Sequence, residues 1–305
     1  MFHPAESQWD LPKLVEQTAS TFTSLSPNNV RLFFPRSGHS LCANERFLAS
    51  SSPYFETLFV SGFSEDKTLA TDPAVDGDAE EPPPYTFDDS DDETDGLLGN
   101  RSLDGKKESP ALACKTITVT DTAYSTYFAV LVLLVTGKVT FASGRACRSL
   151  PPPRPITRSA SPRSTAIASA IAAQTAPTPP PVSAKSVYRL AHLLELDTLA
   201  SLALSEIRSQ LGVENVAYAL YSDVAATYPE VRSAVLDFAV EKWEKIVGAE
   251  ATKEMEGLAE GGQADAAGAA TAMKLARRLA ARIKPRRQFL RHRLIAMTAP
   301  STTTP

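Results

Sequence analysis

The residue types that carry chemistry are few in this chain, and they do not gather. Its histidines, His3, His39, His192 and His292, are scattered, and none stands in an HExxH pair of the kind that holds zinc. There is no G-x-x-x-x-G-K-[ST] phosphate loop, no G-x-G-x-x-G turn and no G-x-S-x-G elbow. His192 has Leu193 beside it and Glu195 three positions on, which reads as a partly exposed helix histidine rather than a general base. One stretch approaches a metal motif: Asp91-x-Glu93-x-Asp95-Gly96 has the alternating carboxylates of a calcium loop. Its twelfth position is Ser102, where that loop needs glutamate, and no flanking helices are expected. The expectation is therefore of a protein that is not an enzyme, with no catalytic residue, cofactor or metal.

Charge and modification offer more. Residues 72–95 carry eleven acidic side chains and no basic one, whereas 270–297 carry nine Lys or Arg and no acidic one. The formal net charge of −4 hides this segregation. The basic tail, with Arg277, Arg278, Arg286, Arg287, Arg291 and Arg293, suits nuclear import or a polyanion contact, since Lys/Arg clusters gain affinity by releasing phosphate counterions. No zinc finger or basic zipper accompanies it, so specific nucleic-acid readout is not expected. The acidic block could compete for that tail, and solubilising charge is the bland alternative for both. In "RSASPRS", Ser161 precedes a proline among arginines and is the best candidate phosphosite, where a phosphate would add nearly two negative charges.

At 305 residues with 43% hydrophobic side chains, the chain can bury one or two cores. Cys42, Cys114 and Cys147 are odd in number and lack CxxC spacing, which fits a reducing compartment. No signal segment is recognised at the start, and the longest apolar run, "AVLVLLV" at 129–135, falls far short of the ~20 residues that cross a bilayer. A cytoplasmic or nuclear protein without a membrane contact is expected.

The elements follow from periodicity. Residues 10–24 read as a short amphipathic helix with Leu11, Leu14, Val15, Thr18 and Phe22 on one face. "NNVRLFFPR" and "SLCAN" read as a β-hairpin turning at "RSGH". In "RFLASSSPYFETLF", Ser52 is placed to cap a second short helix and Pro53 to start it, with Phe47, Leu48, Phe55, Leu58 and Phe59 as core residues and Gly62 as terminator. "KTITVTD" reads as a strand, "TAYSTYFAVLVLLVTG" as a helix with Tyr124, Phe128, Leu131 and Val135 on one face, and "KVTFA" as a short strand. Two helices then present Val187, Leu190, Ala191 and Leu194, and Leu199, Leu202, Ala203 and Ile207. "ENVAYALYSDVAATY" and "PEVRSAVLDFAVEKWEKIV" add two more. Pro- and acid-rich residues at about 65–113 and Pro/Arg-rich residues at about 143–184 predict disordered insertions. Residues 249–270 predict a flexible link, ahead of a basic helix interrupted at Pro285.

With both insertions set aside, "VRLFFPRSGHSLCANERFLASSSPYFETLFVSGFSE", "ITVTDTAYSTYFAVLVLLVTGKVTF" and "AKSVYRLAHLLELDTLASLALSEIRSQL" resemble a BTB/POZ domain of the type common in fungal proteins. The closest matches are the helix pair from Leu48 to Phe59 and "TGKV" at 136–139. The resemblance covers about 30–64, 115–142 and 184–211. It implies an α+β fold, a small sheet flanked by a cluster of helices and followed by a helical extension. The implied division is an N-terminal segment 1–27, an interrupted domain 28–212, an extension 213–248 and a flexible region with the basic tail 249–305.

The resemblance also implies a function: protein–protein interaction, by pairing with itself or another BTB protein and by partner recruitment. The helix bearing Leu11, Leu14, Val15 and Phe22 would then be a dimer interface, or else fold back on its own domain. Alternatives are a substrate adaptor that binds a cullin-type ubiquitin ligase, and a nuclear scaffold or transcriptional regulator using the tail. Asn29 and Asn44 stand where many BTB domains have Asp and His; two amides keep hydrogen bonds there but no charged pair. The apolar-x-Glu motif common in cullin binders is missing after Phe141, where the Pro/Arg-rich insertion follows.

Overall fold

In the computed structural model the residues described are 11–23, 28–61, 91–99, 114–143, 162–174, 178–261, 268 and 270–282. They belong to two compact units, Met1–Arg145 with Ser149–Gln210, and Ala146–Arg148 with Leu211–Pro305. The division at Gln210 falls two residues before the expected boundary at 212, and the expected extension and tail lie together in the second unit.

The first unit is mixed α+β. Its sheet has the order β2–β1–β3, with β1 (Val30–Phe34) antiparallel to β2 (His39–Ala43) and parallel to β3 (Lys115–Thr118). The hairpin turns at Gly38, whose φ of +70° is a left-handed conformation that glycine adopts without a Cβ clash. Alternation along β1 buries Val30, Leu32 and Phe34 on one face. The antiparallel hairpin and parallel third strand require a long crossover, which runs through α2 (Glu45–Ser51), α3 (Pro53–Ser61) and α4 (Asp92–Gly99).

Helix α5 (Tyr124–Thr136) follows and is buried from Tyr124 to Val132. The one-sided face expected for it is too narrow: a helix that is apolar all round belongs in the middle of a core. Only its C-terminal end emerges, with Val135 exposed. Gly137 ends it as expected, at φ +70° with its N–H on Leu133 O at 2.7 Å. "KVTFA" is not a full strand; Phe141 makes a single parallel bridge to Val182. Helices α7 (Ala184–Leu193) and α8 (Asp197–Ser209) complete the unit. Val187, Leu190, Ala191, Leu194, Leu199, Ala203 and Ile207 are buried as expected, while Leu202 is exposed.

The N-terminal helix, α1 (Leu11–Phe22), packs on α5 and β2 of its own unit. Part of each expected insertion is helical. The acidic one contains α4, and the Pro/Arg-rich one contains α6 (Pro162–Ala173). Ala142, Ile167 and Ile171 form a small buried cluster with Leu97 and Leu98 against it, so each insertion supplies apolar surface the other lacks.

In the second unit, "ENVAYALYSDVAATY" forms two short helices, α9 (Val216–Leu220) and α10 (Asp223–Thr227), separated by Tyr221 and Ser222, the latter capping α10. Then come α11 (Pro229–Glu241) and α12 (Trp243–Ile246). The expected flexible link after 249 instead holds α13 (Glu250–Glu260), whose Ala251 and Met255 bury against Ala217 of α9. Residues 270–282 are helical. No described helix is long and apolar enough to cross a membrane.

Candidate functional site

The hydroxyl of Ser52 lies between α2 and α3 and is 1% exposed. It accepts from Phe55 N at 3.5 Å, the capping role expected of it, and donates to Leu194 O at 2.7 Å at the end of α7. The junction thus pins the helix pair to an element more than a hundred residues away, and leaves no room for a phosphate on Ser52. Leu48, Phe55 and Leu58 are buried as expected; Phe47 and Phe59 are half-buried. Phe47 meets Phe22 with ring centroids 5.9 Å apart, and Phe59 lies under the Lys115 ammonium at 5.4 Å.

Two amides, Asn29 and Asn44, both serve α2. Asn44 Oδ1 accepts from Arg46 N at 3.0 Å, and Asn29 Oδ1 accepts from Glu45 N at 2.9 Å. Between them they satisfy two of the orphan amides at the helix start. Glu45 in turn pairs with Lys115 at 3.0 Å and ties α2 to β3.

The most heavily bonded polar site joins the two insertions to the core. Asp91, wholly buried, receives Arg163 Nη2 at 2.9 Å, Ser183 N at 3.0 Å and the Thr126 hydroxyl at 2.8 Å. Arg163 also reaches Glu93 at 3.6 Å. Four residues on, Asp95 accepts from Tyr124 N at 2.7 Å and Ser125 N at 2.9 Å, capping α5 from another helix. Among the described residues no basic side chain pairs with Asp95. Burial, helped by the nearby Asp91 charge, raises its pKa to about 7 against the downward pull of the Ser125 and Tyr124 hydrogen bonds. Burial likewise raises the Tyr124 hydroxyl and lowers His39, whose ring lies 4.7 Å from that of Tyr124.

This cluster was not anticipated from sequence. The calcium-like motif is in fact the start of α4, a helix rather than a loop, and Asp91 and Asp95 are engaged by protein donors. Its chemistry is that of a structural clasp: Arg163, Ser183 N and Thr126, from three separate segments, all donate to Asp91. Among the described residues no group of three His, Cys, Asp or Glu side chains is arranged to hold a metal ion. His192 is exposed, with Nε2 2.9 Å from the Tyr188 hydroxyl. Cys42 and Cys114 are buried, and neither forms a disulfide among the described residues.

The surface residues singled out from sequence divide three ways. In α1, Phe22 is buried inside its own unit, and Leu14 and Val15 are half-buried. Arg278 pairs with Asp237 of α11, while Arg277 is exposed. The Leu11 side chain, Ser161, Arg286, Arg287, Arg291, Arg293, Gly62, Cys147, His3 and His292 lie outside the described residues. The most exposed large apolar side chain described is Val60 of α3, at 84%.

No protein-family model matches the chain, and no curated protein matches it.

Proposed function

We propose that the chain is a BTB/POZ-type interaction protein that pairs with itself or a related chain through its first unit and recruits a partner through its second. The observation that carries this reading is the element order: hairpin, helix pair, a third strand parallel to the first, a buried helix and a further helix pair. That order, with "LASSSPYFETLF" at the first helix pair and Gly137 ending the buried helix, supports the resemblance drawn from sequence. The pairing surface includes the outward side of α1, where Leu14 and Val15 keep part of their apolar area in water. Burying the remainder against a second copy is favourable at about 25 cal/mol per Å2.

Light scattering of the full chain at micromolar concentration tests the pairing. A dimer mass that falls to the monomer mass in Leu14→Asp/Val15→Asp, with the circular dichroism unchanged, is the expected result. A monomer mass for the parent chain refutes it. Affinity purification with mass spectrometry distinguishes the two recruiting roles, since an adaptor brings a cullin with it and a scaffold does not.

A further inference from the structure

The second unit separates its charges along the chain. Residues 211–265 carry eleven acidic and four basic side chains, and 266–305 carry nine basic and none acidic. The fold then brings the two kinds together. From the helical stretch 270–282, Arg278 forms an ion pair with Asp237 of α11 and donates to Ser233 Oγ at 3.4 Å. Arg282, one turn on, donates to the carbonyls of Val240 and Glu241. These belong to the last turn of α11, where carbonyls lack partners in their own helix and the helix dipole is negative. Lys274 and Arg277 remain exposed.

The apolar side of this stretch is occupied as well. Thr271 and Leu275 are buried, Leu279 is half-buried, and a Cβ on Gly268 would meet the Tyr221 ring at 2.9 Å. A basic amphipathic helix with a free apolar face suits a membrane surface. Here that face is used within the unit, and Met273 is the one large apolar side chain of the stretch left exposed. What residues 270–282 offer a partner is positive charge, with Met273 as the exposed apolar side chain and no aromatic residue in the stretch. That combination fits the phosphate backbone of a nucleic acid, read without regard to sequence.

We infer that the basic helix is a nucleic-acid backbone contact held partly closed by α11, with Asp237 occupying the cation that a phosphate would otherwise take. The contact is independent of pairing through the first unit, and either can fail alone. Asp237 acts as the competitor because it is exposed and reachable by solvent and salt. A polymer that already touches Lys274 and Arg277 displaces it by local concentration.

The test is binding of poly(U) RNA to the full chain over a range of salt concentrations. Asp237→Asn should bind several-fold tighter at low salt and steepen the slope of log K against log salt by about 0.7, one further phosphate on a single strand. Asp237→Glu should restore the parent's behaviour, and Lys274→Glu/Arg277→Glu, at exposed positions, should weaken binding in either background. Equal affinities for the parent and Asp237→Asn overturn the inference. So does equal tightening by Asp237→Glu, a lack of salt-dependent binding in all chains, or preference for phosphatidylserine vesicles over RNA.

Discussion

The Asp91 carboxylate lies 2.9 Å from the Arg163 guanidinium, across 72 positions of chain, and both groups are withdrawn from water. Each belongs to a stretch whose composition argues against order, one acidic and one rich in proline and arginine. Together they neutralise one another, and Ser183 N and Thr126 take up the remaining carboxylate lone pairs. The ion pair therefore fixes where the two insertions meet, and the apolar cluster of Leu97, Leu98, Ile167 and Ile171 forms beside it.

Breaking that pair from one side should be expensive. Arg163→Met leaves Asp91 buried without its cation, a loss of about 3–5 kcal/mol for such sites. The double change Asp91→Asn/Arg163→Met should recover much of it, because a neutral amide still accepts the Ser183 N–H. Urea unfolding followed by the transition of the first unit gives both values. A single-variant cost below about 1 kcal/mol would show that the pair is hydrated after all.

Asp95 gives the first unit a stability that depends on pH near neutrality. Its folded pKa, about 7, lies above the ordinary 3.8. Between roughly pH 4 and pH 7 the folded form keeps a proton that the unfolded chain has released. Stability from this group is thus fully present below about pH 4, declines as the pH rises through 7, and is flat beyond. Asp95→Asn cannot ionise and keeps one acceptor for the α5 amides, so its melting temperature should change less between pH 5 and pH 8 than the parent's. Parallel profiles for the two chains would assign the dependence to another group.

Local chemistry was readable wherever a residue acts on its own neighbours. The glycine at 38, the cap and proline start at Ser52–Pro53 and the terminator Gly137 are all set within a turn or two of chain. The buried faces of α7 and α8 follow from their 3.6-residue period. What could not be read depends on a distant partner. Helices α4 and α6 carry only two apolar residues each in the shared cluster, too few to be recognised until the other helix stands opposite. The spacing of Ile167 and Ile171, four apart on an alanine-rich run, was the available sign. The docking of Arg278 and Arg282 on α11 was invisible because the tail's charge reads the same whether bound or free.

Ser52 and Ser51 offer a contrast between adjacent residues. The Ser52 hydroxyl is buried, donating to Leu194 O and accepting from Phe55 N, whereas the Ser51 side chain is half-exposed. Ser52→Ala strands the Leu194 carbonyl and removes a cap, for a combined loss of about 1–3 kcal/mol. Ser51→Ala should fall within about 0.5 kcal/mol of the parent. Denaturation midpoints of the two variants check this directly. Similar losses for both would mean that the helix junction, not the hydroxyl contact to α7, sets the stability here.

Gly137 isolates the cost of backbone conformation from that of packing. Its φ of +70° lies in the left-handed region, and a Cβ built there meets nothing within 4 Å. Gly137→Ala therefore introduces no collision, only the intrinsic penalty of a left-handed L-residue, about 1–2 kcal/mol. Asparagine tolerates this region better than alanine, so Gly137→Asn should lose less. The order Gly, Asn, Ala in urea stability, with the α5 end still closed by the bond to Leu133 O, is the expected outcome. If alanine matched glycine, the end of α5 would have to relax to a right-handed turn, and the path from Lys138 to the Phe141–Val182 bridge would change with it.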